Sequence, residues 1–119
     1  MKDNLYYYKG VVTGVYDGDT VTISFDLGMK IKREGMKVRL YGIDSPELRG
    51  KTLIEARKSR DFLRAKVLGK SVIVQTIRDK KGKYGRYLAN IWLERPDDSW
   101  SSVNDMMVSE GYAITYRKS

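Results

Sequence analysis

The first third of the chain alternates between apolar and polar residues in the way that β-strands do. Residues 5–16 are rich in Tyr and Val and predict a first strand, which a turn at Asp17-Gly18 ends. Residues 20–25 alternate strictly, so they predict a second strand with one buried face. A polar loop over residues 28–35 leads to a third strand, expected over residues 37–43. The apolar residues that these strands direct to the core are Val21, Ile23, Phe25, Val38 and Leu40.

The middle of the chain changes to helical spacing and then returns to strands. Apolar residues near helical spacing predict a helix over residues 52–68, and Gly69 stands where a C-terminal cap belongs. Strands are predicted over residues 71–77 and 87–93, on either side of a basic turn at residues 79–83.

A capping motif predicts a second helix and completes the order of elements. Ser102 and Asp105 have the spacing of a capping box, with Asp in place of Glu, so a short helix is expected over residues 103–110. Three strands, a helix, two strands and a helix favour a closed antiparallel barrel. The predicted fold is therefore mainly β, in the α+β class: a five-stranded antiparallel OB-fold barrel with two or three packed helices. We expect residues 1–119 to form it as a single domain.

Composition narrows the chemistry that such a barrel could perform. The 119 residues include no cysteine and no histidine, which excludes disulfides, thiolate nucleophiles, Ser-His-Asp triads and zinc sites built on either residue. An enzyme of this composition must use carboxylates, Arg, Lys, Tyr, hydroxyl groups or a hard metal ion bound by oxygen.

The charge of the chain is basic and unevenly distributed. Lys and Arg number 23 against 15 Asp and Glu, which gives a formal net charge of +8. The basic residues concentrate in residues 30–39, 49–70 and 78–86, whereas residues 1–29 hold two Lys and four Asp. This distribution favours a polyanionic partner, nucleic acid first, although basic residues that only solvate the surface would give the same count.

The sequence contains no segment that predicts a membrane association. No apolar run approaches the roughly 20 residues of a membrane span. The first residues also lack the apolar core of a signal peptide. The sequence as given predicts a monomeric protein of the cytoplasm, or a secreted one whose leader has been removed.

The first motif that could carry chemistry is Asp17-Gly18-Asp19-Thr20. Asp-Gly between two strands is in the first place the signature of a β-hairpin turn. Asp19, however, has the same parity as Val21 and would emerge at the mouth of the apolar face, where an unpaired carboxylate is costly. A bound cation would offset that cost.

A second acidic motif begins with Arg39 on the third strand and ends with Glu47. Asp44 and Glu47 lie on either side of a proline, and they could do no more than end the strand. If this loop converges with the first motif, Asp19, Asp44 and the backbone carbonyl of Ser45 form an all-oxygen site. Such ligands suit Ca²⁺ or Mg²⁺.

A third motif, Lys83-Tyr84-Gly85-Arg86-Tyr87, ends the basic turn. A Lys, an Arg and an aromatic ring close together can bind phosphate and stack a base. A solvated basic hairpin would have the same composition.

Taken together, the three motifs resemble the staphylococcal nuclease family. The pattern is D-G-D-T, then R-x-x-x-x-D-[ST]-P-E, then K-Y-G-R, and the similarity runs from about residue 10 to about residue 116. The resemblance implies an OB barrel with helices, in agreement with the pattern of elements. It also implies a Ca²⁺-dependent nuclease that cuts DNA and RNA with little sequence or sugar specificity, single strands preferred. Such an enzyme cleaves the 5′ P–O bond and leaves 3′-phosphate ends.

The resemblance assigns a metal-binding role to one group of residues. Asp19 and Asp44 would bind Ca²⁺ through their carboxylates, and Ser45 would bind it through its backbone carbonyl. Asp17 would lie behind these ligands, near the metal but not on it.

The resemblance assigns catalysis and substrate binding to a second group. Glu47 would activate the attacking water as general base, while Arg39 and Arg86 would bind the phosphate and stabilise the charge of the transition state. Lys83 and Tyr84 would contact a neighbouring phosphate.

Some features of the sequence leave alternatives open. Gly82 stands where the family often has Asp, and Tyr116 could stack on a base or belong to the core. Mg²⁺ could replace Ca²⁺, because both ions take the same ligand types. A catalytically inactive OB-fold module that binds nucleic acid or a protein is the alternative function.

Overall fold

Strands make up most of the regular structure of this protein. The computed structural model describes residues 7–47, 50–77 and 87–115. Its elements are β1 (Tyr7–Asp17), β2 (Thr20–Asp26), β3 (Lys32–Leu40), β4 (Ile43–Asp44), α1 (Leu53–Val67), β5 (Ser71–Ile77), β6 (Tyr87–Glu94), β7 (Trp100–Ser102), α2 (Val103–Ser109) and β8 (Ile114–Thr115).

Five strands of a six-stranded sheet close into a barrel, and β7 extends the sheet by pairing with β6. Their order is β3-β2-β1-β5-β6, and β3 and β6 pair with each other to complete the barrel. The closing pair is parallel, with Val38 opposite Tyr87 and Leu40 opposite Ala89, whereas the other four pairings are antiparallel. The predicted fold, a mainly β five-stranded barrel with packed helices, is confirmed.

The alternation of β2 and β3 produces the core that the sequence predicts. Val21, Ile23 and Phe25 are all buried, and so are Val38 and Leu40 on the neighbouring strand. Leu63 and Val67 of α1 join the same cluster, so this helix covers part of the barrel. Burial of apolar surface on this scale is the main force that holds such a fold together.

The third strand differs from its prediction at both ends. β3 begins at Lys32, inside the expected loop. The sequence does not predict this part of the strand because residues 32–35 are exposed on both faces and show no apolar alternation. The expected strand over residues 37–43 breaks after Leu40. Gly42, with a φ of 79°, makes the turn there, and β4 begins after it.

Both helices lie where the sequence predicts them. α1 follows a 3-10 turn at Gly50–Thr52, and Gly69 adopts a φ of 76° beyond its end, as expected of a C-terminal glycine. At the start of α2 the Ser102 hydroxyl accepts a hydrogen bond from the backbone N–H of Asp105 at 3.2 Å, which confirms the cap. The short strands β4, β7 and β8 were not predicted, and the basic turn at residues 79–83 lies outside the described residues.

None of the helices within residues 7–47, 50–77 and 87–115 is both long enough and apolar enough to cross a membrane.

One buried side chain ties α2 to the barrel. The amide of Asn104 donates to the carbonyl of Tyr41 at 2.9 Å and to that of Ala89 at 3.0 Å. Its oxygen accepts from the backbone N–H of Ile91 at 3.0 Å. Asn104 therefore joins the second helix to β6 and to the turn that precedes β4.

We expect Asn104→Ala to destabilise the fold strongly. The change removes three hydrogen bonds in a site where Asn104 is only 3% exposed, and buried groups left without partners cost about 3 kcal/mol in total. Urea denaturation measures the free energy of unfolding. Asn90→Ala is the control, because its amide makes one hydrogen bond, to Gln75 at 3.3 Å, and its loss should cost less than about 1 kcal/mol. Equal losses in the two variants would contradict the anchoring role of Asn104.

Candidate active site

The register of β2 and β3 brings the first two acidic motifs together at one end of the barrel. Thr20 at the start of β2 is the register partner of Arg39 near the end of β3. The turn before β2 is fixed further by the backbone N–H of Leu40, which donates to the carbonyl of Asp19 at 2.8 Å. Asp19 and Arg39 therefore meet because of strand pairing, which brings together two motifs whose convergence the sequence left as a condition.

The carboxylate of Asp19 is buried and fully engaged. Asp19 is 3% exposed. Its Oδ2 accepts from the backbone N–H of Ser45 at 3.1 Å and lies 3.3 Å from Nη1 of Arg39. Its Oδ1 accepts from the hydroxyl of Thr20 at 3.0 Å. These partners offset the cost of burying a charge, which would otherwise be prohibitive.

Arg39 connects this buried carboxylate to a second one. Its Nη2 lies 3.3 Å from Oδ1 of Asp44 and donates to the carbonyl of Ile43, also at 3.3 Å. Asp44 is held in place by strand pairing, because β4 pairs with β8 and places it opposite Ile114. One guanidinium thus bridges the two carboxylates that the sequence predicts as metal ligands.

The two aspartates of the first motif titrate as a unit. Burial raises the pKa of Asp17 to about 6, and the neighbouring Asp19 adds to the rise. Burial also works against the ionised form of Asp19, but hydrogen bonds from Asp17 and the Ser45 backbone, together with the Arg39 guanidinium, outweigh it and lower the pKa of Asp19. As the pH rises, Asp19 therefore loses its proton before Asp17 does.

The donor atoms at this end of the barrel fit a hard cation. Both carboxylates contact the same guanidinium, so they lie close together, and carboxylate oxygens are the ligands that Ca²⁺ and Mg²⁺ take. The Ser45 hydroxyl beside them is buried and has no hydrogen-bond partner among the described residues, so one more oxygen there is unsatisfied. The part of the chain that the structure describes contains no group of three or more acidic side chains poised to hold a metal. Further ligands would have to be backbone oxygen, water or substrate.

The remaining predicted residues fall into two groups. Glu47 lies two residues beyond Ser45 with an exposed side chain, and its carbonyl accepts from the Thr52 hydroxyl at 2.7 Å. The other predicted residues lie outside the described residues, and their roles stay predictions: Lys83, Tyr84, Arg86 and Tyr116.

Gly18 contributes to the site in a way that the sequence did not predict. A Cβ at this position would lie 2.7 Å from Cβ of Ser59 and 2.8 Å from Cβ of Ser45. The glycine therefore allows the Asp19 turn to pack directly against α1 and the loop after β4. Ser59 is itself buried, and its hydroxyl donates to the carbonyl of Tyr112 at 2.7 Å. The D-G-D-T motif signals only a turn glycine, since its packing partners are distant in sequence.

Several known proteins are similar to this chain in sequence. Residues 37–119 match the family described as staphylococcal nuclease homologue, a range that includes Arg39, Asp44 and Glu47. An uncharacterized protein of Methanocaldococcus jannaschii is 30% identical over 135 residues, which cover 96% of this chain and 62% of the relative. Endonuclease YhcR of Bacillus subtilis is 31% identical over 119 residues, 92% of this chain and 9% of the relative. A thermonuclease of Staphylococcus intermedius is 33% identical over 86 residues, 70% of this chain and 48% of the relative. The chain thus spans less than two thirds of the length of each of these relatives.

We expect Gly18→Ala to destabilise the protein by about 2 kcal/mol, because the added methyl group overpacks the contact with Ser45 and Ser59. Thermal or urea denaturation measures the change. Gly14→Ala is the matched control on the preceding strand, β1, since its Cβ would meet Thr22 at an ordinary 3.6 Å. A Gly18 variant as stable as the Gly14 variant would mean that the turn does not pack as tightly as described.

Proposed function

The chain belongs to the family of staphylococcal nuclease homologues, and from this premise we propose that it is a Ca²⁺-dependent nuclease of DNA and RNA. The observation that carries the proposal is the Arg39 guanidinium set between the carboxylates of Asp19 and Asp44. Metal-assisted phosphodiester hydrolysis requires acidic oxygen ligands for the metal ion and a positively charged side chain beside them that binds the phosphate. Two relatives are named an endonuclease and a thermonuclease, which supports a nuclease-type function.

In this proposal Asp19, Asp44 and the Ser45 carbonyl hold the cation. When bound, Ca²⁺ supplies Lewis-acid polarisation of a phosphoryl oxygen and lowers the pKa of a bound water. Asp17 supports Asp19 from behind, because its Oδ1 accepts from the backbone N–H of Asp19 at 3.1 Å. Mg²⁺ remains the competing ion, since its ligands are of the same type.

Arg39 is the residue that this structure prepares best for a phosphate. Its guanidinium is oriented by Asp19, Asp44 and the Ile43 carbonyl before any substrate arrives. A planar guanidinium can donate two parallel hydrogen bonds to phosphate oxygens, and a preoriented donor loses little energy to reorganisation during the reaction. We assign Arg86 the same task, as the family resemblance implies.

Glu47 is proposed as the general base. Its exposed carboxylate, just beyond the metal ligands, takes a proton from the attacking water. The water oxygen then bonds to phosphorus while the 5′ P–O bond breaks, and the leaving oxygen takes up a proton to become a 5′-hydroxyl. The 3′ side keeps the phosphate. The reaction does not use a 2′-hydroxyl, so DNA and RNA are both substrates.

The substrate is proposed to be held by residues on the basic turn and near the C-terminus. Lys83 and Tyr84 contact a neighbouring phosphate, and Tyr116 stacks on a base. We propose further that residues 1–119 form one domain and that this domain acts as a monomer.

The first test is metal dependence. With Ca²⁺ present, a plasmid and a single-stranded RNA should both be degraded to fragments with 3′-phosphate ends. A chelator should stop both reactions, because the proposed mechanism needs the cation that it removes. Gel electrophoresis and end-group analysis measure the products. A parallel titration with Mg²⁺ identifies the preferred ion. Binding of nucleic acid without cleavage under every metal condition would instead favour the inactive binding module.

The second test concerns Glu47. Glu47→Gln should lower kcat by about 10²- to 10⁴-fold, because the amide cannot accept the proton from water, while the affinity for nucleic acid stays the same. Glu94→Gln is the control, an equally conservative change at an exposed carboxylate on β6. Initial rates with a fluorescent oligonucleotide and its dissociation constant in chelator give the two quantities. Full activity of the Glu47 variant would rule out its role as the base.

A further inference from the structure

A second concave surface lies at the end of the barrel opposite the Asp19 turn. β1 begins there, β2 ends there, and the hairpin to β3 projects from the same end. The end of β5 and the start of β6 complete the mouth. A cavity of about 230 Å³ opens between these strand ends. Residues that line it include Tyr8, Phe25, Leu27, Arg33, Met36 and Tyr87.

The cavity suits one flat ring. Tyr8 packs edge-on against Phe25, with ring centroids 5.9 Å apart at an angle of 85°, so the inner wall is already ordered. Tyr87 at the rim is 51% exposed and offers a free aromatic surface. The volume is below the roughly 300–1,000 Å³ of pockets for drug-sized ligands, which favours a single base over a whole cofactor.

The surroundings of the cavity are basic. The hairpin and the start of β3 carry four cations between residues 30 and 37, against the single carboxylate of Glu34. Arg33 lines the cavity itself, and its Nε lies 3.3 Å from Sδ of Met36, which orients the guanidinium at the entrance. An aromatic ring that carries a phosphate is the ligand that matches this charge.

The cavity is also connected to the candidate active site through β3. Met36 lines the cavity three residues before Arg39, a distance of about 10 Å along a strand. Val38, next to Arg39, is the register partner of Tyr87 across the closure of the barrel. Barrels of this kind bind single strands over about 4–16 nucleotides, which is enough to occupy both places.

We propose that this cavity holds an unpaired base of the single strand whose phosphate binds at Arg39. The inference rests on the proposed nuclease function and adds to it a base-binding position away from the metal. It gives the protein a reason to prefer single strands, because a base that is stacked in a duplex cannot enter the cavity.

The test is the affinity for a single-stranded oligothymidine of about ten nucleotides, a length within the range such barrels bind. Fluorescence anisotropy measures the binding, and a chelator is present to prevent cleavage. Tyr87→Ala should weaken binding about tenfold, because stacking on one aromatic side chain is worth that much, and Tyr87→Phe should bind like the unaltered protein.

Trp100→Ala is the control, since Trp100 is 47% exposed against 51% for Tyr87 but lies on β7. A duplex of the same length should not distinguish Tyr87→Ala from the unaltered protein. Thermal denaturation verifies that each variant folds.

The outcomes separate this inference from the function on which it rests. If nucleic acid is cleaved but Tyr87→Ala binds normally, or loses no more than Trp100→Ala, the base-binding position is wrong and the nuclease stands. If binding depends on Tyr87 but nothing is cleaved, the base-binding position stands and the nuclease is wrong.

Because Leu27, Met29 and Ile31 expose apolar surface on the same hairpin, vesicles of phosphatidylserine and phosphatidylcholine are assayed in parallel. Vesicle binding that Tyr87→Ala abolishes, with oligonucleotide binding unchanged, would assign the surface to lipid and overturn the proposal.

Discussion

The candidate site depends on a single physical constraint, which is that the carboxylate of Asp19 is buried. A buried charge is tolerated only when each of its oxygens has a partner. Here those partners come from three different segments: the Thr20 hydroxyl, the Ser45 backbone and the Arg39 guanidinium. Satisfying one carboxylate therefore fixes the start of β2, the end of β3 and the loop after β4 relative to one another. These are the segments that carry the candidate metal ligands.

The same end of the barrel is held from outside by residues far along the chain. Asn104 on α2 binds the carbonyl of Tyr41, immediately before the Gly42 turn that leads to Asp44. β8 pairs with β4 and fixes Asp44 from the other side. The last third of the chain thus positions a site whose described acidic residues all belong to the first half. A change near Asn104 would reach the site through the backbone and without any contact with a ligand.

Periodicity in the sequence accounts for the parts of the fold that have one buried face. Val21, Ile23 and Phe25 predict β2, and because their alternation continues through the turn they also place Asp19 at the mouth of the apolar face, where the structure buries it. Residues 32–35 could not be predicted as strand, since both of their faces are exposed and nothing selects apolar residues there. The close packing of Gly18 against Ser59 depends on a contact between distant segments, which no local pattern contains. For the site, the residue pattern allows the acidic motifs to converge, but it does not show that Arg39 bridges the two carboxylates. The proposed roles of Glu47 and Arg86 come from family resemblance alone.

The bridging position of Arg39 has a consequence for how the proposed site changes on binding a cation. The two carboxylates and the one guanidinium by themselves sum to a charge of −1, which disfavours a phosphate beside them. A divalent cation held by Asp19 and Asp44 would reverse the sign of this charge and would take over from the guanidinium as their counter-charge. Arg39 would keep its hydrogen bond to the Ile43 carbonyl, and its remaining N–H groups would be available to an anion. In the proposed mechanism the cation therefore strengthens the binding of a phosphate at Arg39 and also serves the chemical step. The two effects arise from one arrangement of charges.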